Sequence, residues 1–446
     1  GLEDHSDLTL ETAGSRLKEL MQAHVGPYHI DLAKSQGSYA YFPHENRSIL
    51  DMNQHLASRP LGYNHPIFQS KEFKHLAALY GANKLAYSTY NTLDYARATD
   101  IIANLYLKPS GFDRLFFIAG GAKAVEVAVH IAITNKVSQN KKAGKGEIGN
   151  TMLTLYGGFH GRGLGMRSVT TSIPEKNAHL PTFTNWTSVE PPKSQESIPE
   201  ALELLETKIR EIGPDHIAGF LCEDMIQCGW GDRFIPAEFL KGVRELADRY
   251  GFYFILDGVQ TGMYASGEPC AFQAAGSAKP DIYAGCKKAA VGYVFVTDRI
   301  LEVPENALND LLSINSTFAG HMVDLLAWAY VLLAINEENL IDNVKARGEQ
   351  MFSGLETLAS RYDEVTNPRG LGLIGCALSA PDGELLKQIT QECYKNGLII
   401  FPGTTPASDG YAIRFRPVLN VTEQEIDECL AIMDKTLETV LLGKAS

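Results

Sequence analysis

Asp257 stands at the end of an aromatic and aliphatic run, Phe252 to Leu256, whose length and composition predict a buried parallel strand. A carboxylate at the C-terminal end of such a strand sits where open α/β sheets bind their ligands. A second short run, Asp281 to Ala284, predicts another strand and leads into Gly285, Cys286 and the pair Lys287–Lys288. A lysine amine can condense with an aldehyde to a Schiff base. A carboxylate on the neighbouring strand can keep a ring nitrogen protonated, so that the ring draws in electrons. Together these are what pyridoxal 5′-phosphate (PLP) chemistry requires. Read alone, the same residues equally describe a solvated Asp-Gly turn followed by two surface lysines.

The elements that would position this pair repeat as strand then helix from Phe112 onward. Arg114 to Ile118 predicts a strand, Gly120-Gly121-Ala122 a turn, and Lys123 to Thr134 a helix buried on most sides. Free backbone N–H groups at such a helix start can hold a phosphate, although two glycines alone also make a plain turn. Lys136 to Asn150 reads as a solvated lysine and glycine loop, followed by a strand from Met152 to Tyr156 that ends in Gly157-Gly158-Phe159-His160-Gly161-Arg162. An aromatic ring can fix the tilt of a flat cofactor, and an arginine can grip a carboxylate with two hydrogen bonds. The alternative puts Phe159 in the core and Arg162 in a surface pair. Ile217 to Leu221 is a strand entering Cys222-Glu223-Asp224-Met225-Ile226-Gln227-Cys228-Gly229-Trp230-Gly231-Asp232, and Gly292 to Thr297 is another.

Near the ends of the chain the signals are weaker. Residues 1 to about 24 read as a polar lead-in with one helix, and Ser38 to Asp51 as a small sheet. Asn53 to Arg59 is a polar cluster, Asn315 to Gly320 a polar turn with a helix cap, and His321 to Ala346 a long apolar helix. From about Gly348 helices and strands alternate, and among them lies Tyr411-Ala412-Ile413-Arg414-Phe415-Arg416-Pro417.

Composition narrows the class. The 446 residues, 45% hydrophobic and 21% charged, suffice for two domains and a sizeable core. A formal charge of -13 without a long basic run argues against nucleic acid or an anionic membrane as partner. No apolar stretch is long enough to span a bilayer, and the opening GLEDHSDLTLETAG lacks a signal pattern, so the expected location is cytoplasmic. The seven scattered cysteines form no Cys-x-x-Cys pair; neither a disulfide framework nor a metal site is expected, and most should be buried small hydrophobes.

Asp257 with Val259-Gln260-Thr261-Gly262, then Pro280-Asp281-Ile282 and Lys287-Lys288, resembles the class III (omega) aminotransferases of PLP fold type I. The nearest group within them is the L-lysine 6-aminotransferases, whose motif also carries a double lysine. The similarity runs from about Gly26 to the C-terminus. It implies an α/β fold like that of aspartate aminotransferase: a mostly parallel central sheet in a large domain (71–320), with a smaller α+β domain formed by 1–70 and 321–446. By the same resemblance Lys287 carries the cofactor, Asp257 pairs with the pyridine nitrogen, and Gly121 and Ala122 hold the phosphate. Phe159 covers the ring and Gln260 lies in the cofactor-binding motif. Thr317 reaches the phosphate of the partner subunit, which implies a homodimer with shared active sites. Arg162 and Arg414 take substrate carboxylates, with His55 and Arg59 as further substrate-facing candidates.

Three departures stand near the substrate. The family's Glu-Pro-Ile-Gln-Gly-Glu-Gly-Gly-Asp segment is one residue longer here, and its second glutamate is replaced by Cys228 or Gly229. Asp-Glu becomes Asp257-Gly258. The missing glutamate is the one that covers the family arginine, so Arg414 is expected to stay open unless Asp224 swings inward. The implied activity is a PLP-dependent aminotransferase with a lysine- or ornithine-like donor and a 2-oxo acid acceptor. Two alternatives remain: a biosynthetic PLP enzyme performing carbon–carbon bond formation, elimination or racemisation, and a catalytically retired PLP-binding protein.

Overall fold

The computed structural model describes residues 5–21, 29–403, 406 and 410–443; Gly26, where the resemblance begins, lies outside them. Its centre is a seven-stranded sheet in the order 114–118, 292–296, 282–285, 253–257, 217–223, 151–155 and 187–189. Six strands run parallel, and Gly292–Val296 is antiparallel to both neighbours. The run that predicted a central strand forms Tyr253–Asp257, with all five residues buried. Successive side chains face opposite sides: Tyr253 and Ile255 join the core under the helix Gly121–Lys142, and Phe254 and Leu256 join the larger core that contains Phe239, Tyr283 and Trp328. Burial on both faces explains why the sequence shows a continuous apolar run rather than alternation.

Two further sheets flank the site. Asp31–Gln36, Tyr39–Phe42 and Arg47–Asp51 form an antiparallel set that Leu398–Ile399 joins in parallel, so the start and end of the chain share one sheet. Thr366–Leu371, Ile374–Ala380, Tyr411–Phe415 and Phe401–Pro402 make an antiparallel sheet that carries Arg414.

Two expectations are corrected. The helix after the glycine turn runs on to Lys142, because Lys136 and Asn140 are buried rather than solvated. The Lys136 ammonium donates to Gly251 O at 2.7 Å, and the Asn140 amide donates to Ile148 O and Asp215 O. The long helix from His321 is two, Met322–Glu337 and Leu340–Arg361. Asn339 takes a left-handed conformation (φ 51°) between them, a geometry that asparagine tolerates better than most residues. Among the described residues no helix is long and apolar enough to cross a membrane, and no cluster of metal-ligating side chains occurs. Six of the seven cysteines are buried and all are free; Cys286 is half-buried.

Candidate active site

The strand ends bring the sequence candidates together. Asp257 ends the central strand and is paired in register with Glu223 on one side and Ala284 on the other. Its Oδ1 accepts from Val259 N at 3.0 Å, and its Oδ2 faces His160 Nδ1 at 2.8 Å. Histidine and carboxylate are both buried, so this hydrogen bond fixes which way the carboxylate points. In the sequence His160 is only the second residue of the Phe-His-Gly-Arg motif. Its contact with Asp257, 97 residues away, appears only when the loop after Thr151–Leu155 folds over the end of the central strand.

Lys287 begins a single 3-10 turn directly after Gly285–Cys286. Burial lowers the affinity of its amine for a proton, with Arg416 and Arg414 adding to this and Cys228 and Asp257 opposing. Among the described residues no hydrogen bond or ion pair holds the amine. Lys288 points elsewhere: its Nζ is engulfed and donates to Gln260 O at 2.8 Å, and burial pulls it down to about 7. Neighbouring lysines therefore differ: the Lys288 amine is held by Gln260 O, and the Lys287 amine is not so held.

The helix Gly121–Lys142 starts at Gly120 (φ 85°) with no side-chain cap, which leaves the N–H groups of its first turn available to an anion. A Cβ on Gly121 would approach Val259 within 2.8 Å, so the turn requires glycine where it meets the Asp257 loop. Phe159 is half-buried beside Gly229, and exposed Arg162 lies over the Phe159 ring at 5.4 Å. Glu223 accepts from Phe159 N and Cys228 N, tying the two loops together. Burial and Asp257 raise the Glu223 carboxyl well above the usual range.

Arg414 is not open. Its Nε, Nη1 and Nη2 donate to Phe401 O (3.2 Å), Cys228 O (2.7 Å) and Pro402 O (3.0 Å). Its guanidinium stacks on the Phe401 ring at 3.9 Å, and Asp232 Oδ1 lies 3.7 Å away. Asp232 also pairs with fully buried Arg416, whose Nη2 reaches Gln260 Oε1 at 3.3 Å. The acid that compensates the arginines is therefore Asp232. Asp224 faces away, accepting from Ala271 N and Tyr283 Oη. At Gly229 a Cβ would lie 2.5 Å from Phe159 Cβ and 2.9 Å from Ser172 Oγ, so this loop has no room for a glutamate side chain there.

His55 and Arg59 form a cluster of their own. Gln54, His55, Leu56 and Ala57 all have positive φ, between 45° and 68°, a left-handed turn without glycine. His55 Nε2 contacts Tyr63 Oη, which donates to Asp51, and Arg59 stacks over Tyr63 at 4.4 Å. Arg59 and Lys288 line a common cavity of about 190 Å³. Thr317 is exposed, in the turn before the helix Met322–Glu337.

PLP fits these residues. The uncapped helix start suits its phosphate, the oriented Asp257 its ring nitrogen, Phe159 its face, and the unpartnered Lys287 amine its aldehyde.

The comparisons agree with this fit. Residues 20–437 match the family model for class-III aminotransferases. The chain is 32% identical over 422 residues to the L-lysine-epsilon aminotransferase of Mycobacterium tuberculosis, with 92% of each chain covered. It is 28% identical over 414 residues to the acetylornithine aminotransferase of Caldanaerobacter subterraneus, covering 93% of this chain and 96% of the relative. The solved lysine aminotransferase of M. tuberculosis superposes with a TM-score of 0.91 at 31% identity, over 97% of this chain and all of that one. A transaminase from Virgibacillus, at 21% identity and a TM-score of 0.82, shares the fold. These relatives favour amino transfer over the alternative PLP chemistries. With Asp257 and Lys287 on neighbouring strand ends of a fold type I sheet, the chain belongs to the class III aminotransferases and is a PLP-dependent amino acid aminotransferase.

Proposed function

We propose that the protein moves the terminal amino group of a lysine- or ornithine-like donor to a 2-oxo acid, with Lys287 as the residue that carries the cofactor and shuttles the proton. The observation that carries this reading is the Lys287 amine: among the described residues it has no hydrogen-bond or ion-pair partner, and burial and two arginines lower its affinity for a proton, which favours the neutral, nucleophilic form. PLP, when bound, supplies an electron sink for the pair left when the substrate carbon loses its proton. Lys287 Nζ takes that proton from the carbon bearing the amine and returns it on the other side of the transfer. Asp257, held by His160 and Val259 N, would direct its carboxylate at the ring nitrogen.

Arg414 supports recognition of a carboxylate. Three of its N–H groups are taken by the carbonyls of Phe401, Cys228 and Pro402, so a substrate carboxylate would meet a guanidinium that is already held in place. Asp232 is shared with Arg416, so the guanidinium is compensated in both half-reactions without a moving glutamate. Arg162, exposed beside Phe159, suits a second carboxylate at the far end of a dicarboxylate acceptor. The exposed Thr317 fits a homodimer in which each chain completes its partner's phosphate site, with 71–320 as the cofactor domain and the two ends of the chain as the smaller one.

The test is transfer by the holoenzyme from lysine, ornithine and 4-aminobutyrate to 2-oxoglutarate and pyruvate, with products identified by mass spectrometry. Loss of the terminal amine from lysine or ornithine with 2-oxoglutarate as acceptor is expected. Transfer from the α-amine alone, or none from either donor, overturns the reading.

A further inference from the structure

Gly258, where the sequence departs from the family motif, and Asp224 form one structural feature behind the cofactor strand. Asp224 follows Glu223 beyond the strand Ile217–Glu223 and is completely buried. Its Oδ2 accepts from Ala271 N at 2.9 Å and Tyr283 Oη at 3.1 Å, the Phe272 backbone also favours the carboxylate, and its Oδ1 has no partner within hydrogen-bond distance among the described residues. Its own N–H donates to Asp257 O at 2.8 Å. The Tyr283 hydroxyl reaches Asp224 only because residue 258 lacks a side chain: a Cβ there would lie 1.8 Å from that oxygen. A carboxylate is thus absent from position 258 and present at 224, immediately behind Asp257.

The groups that face Asp224 come from every element around it. They are Asp257 on the central strand, Glu223 and Cys222 on its own strand, Tyr283 and Tyr293 from the next two strands, and Cys270 beside the Ala271 amide. Among the described residues no lysine, arginine or histidine forms an ion pair with it. Burial pushes its carboxyl up to about 7, while the bonds from Tyr283 and Ala271 N pull the other way.

We propose that Asp224 is a positioning residue for the cofactor: its carboxylate places a second negative charge behind Asp257, and its N–H fixes the Asp257 carbonyl and hence the strand end that meets the ring nitrogen. A cationic ring is held more tightly when Asp224 is ionised. By reciprocity, the bound ring favours ionisation of Asp224. Cofactor affinity therefore gains a component that switches on as pH rises through neutrality, independent of which amine is the donor.

The experiment titrates pyridoxamine 5′-phosphate, which binds without a covalent bond, into the full chain freed of cofactor, at intervals from pH 6 to 8.5. Wild type is compared with Asp224→Asn, which keeps shape and hydrogen bonds but never ionises, and with Tyr283→Phe. Titration of the ligand itself is common to all three and cancels. Wild type should gain about tenfold more affinity across this range than Asp224→Asn, on the order of 1.4 kcal/mol. Tyr283→Phe, lacking a donor to the ionised form, should move the midpoint of that gain to higher pH. An identical pH dependence in wild type and Asp224→Asn overturns the proposal. Should Asp224→Asn fail to fold, an unmoved midpoint in Tyr283→Phe overturns it equally.

Discussion

Asp232→Asn tests whether one acid holds both buried arginines. Arg414 and Arg416 are 6% and 1% exposed and Asp232 is fully buried, so solvent cannot screen the three charges from one another. At 3.7 Å, the Asp232–Arg414 attraction alone is on the order of 4 kcal/mol for an effective dielectric constant near 20. Arg416 is closer still. Desolvation of the guanidinium groups is already incurred in the fold, so neutralising their partner should cost about 3–5 kcal/mol, the range for breaking a buried pair. Asparagine conserves volume, which removes a cavity as the explanation. Urea unfolding of wild type, Asp232→Asn, Arg416→Met and the double variant measures this directly. The double variant should lose clearly less than the sum of the singles, because each single change strands the other charge. A loss below about 1 kcal/mol in Asp232→Asn, or simple additivity, would refute the shared-anion account.

Other outcomes follow from the same packing. Gly229→Glu should not restore a mobile partner for Arg414; it should lower stability by about 1–3 kcal/mol in a melting experiment, because its Cβ meets Phe159 and Ser172. Asp257→Ala should reduce kcat by orders of magnitude while the protein still retains cofactor by absorbance, and near-normal turnover would remove the assigned role. Lys288, at about 7 in the fold against 10.5 when unfolded, binds protons less readily in the native state. Stability should therefore fall as pH drops from about 10.5 to 7, by up to roughly 5 kcal/mol, and level off below. Lys288→Met should flatten that limb of the stability–pH curve in denaturant titrations, and an unchanged slope would count against the buried amine.

The sequence was most legible where local chemistry and burial coincide. Tyr253–Asp257 and Arg114–Ile118 formed strands at or within a residue of the expected limits, since continuous apolar runs leave few other conformations. Lys136 and Asn140 misled because their polarity is satisfied by carbonyls from distant segments, which no local pattern reveals. The same holds for the site. Lys287 and Asp257 could be named from motif and strand position. His160, Asp232 and the Tyr283–Asp224 contact depend on pairings of 59 to 184 residues in separation and emerge only in three dimensions. The expectation that Arg414 stands open failed for this reason: the missing glutamate was visible in sequence, but the carbonyl cage and Asp232 were not.

The claim on which all else rests is that the first of two adjacent lysines carries the cofactor. Borohydride reduction of the PLP-loaded protein, followed by proteolysis and mass spectrometry, locates the attachment. The account predicts the label on Lys287, whose amine has no partner among the described residues, and none on Lys288, whose amine is bound to Gln260 O. Label on Lys288, or on a lysine outside the Cys286–Ala289 turn, would contradict it.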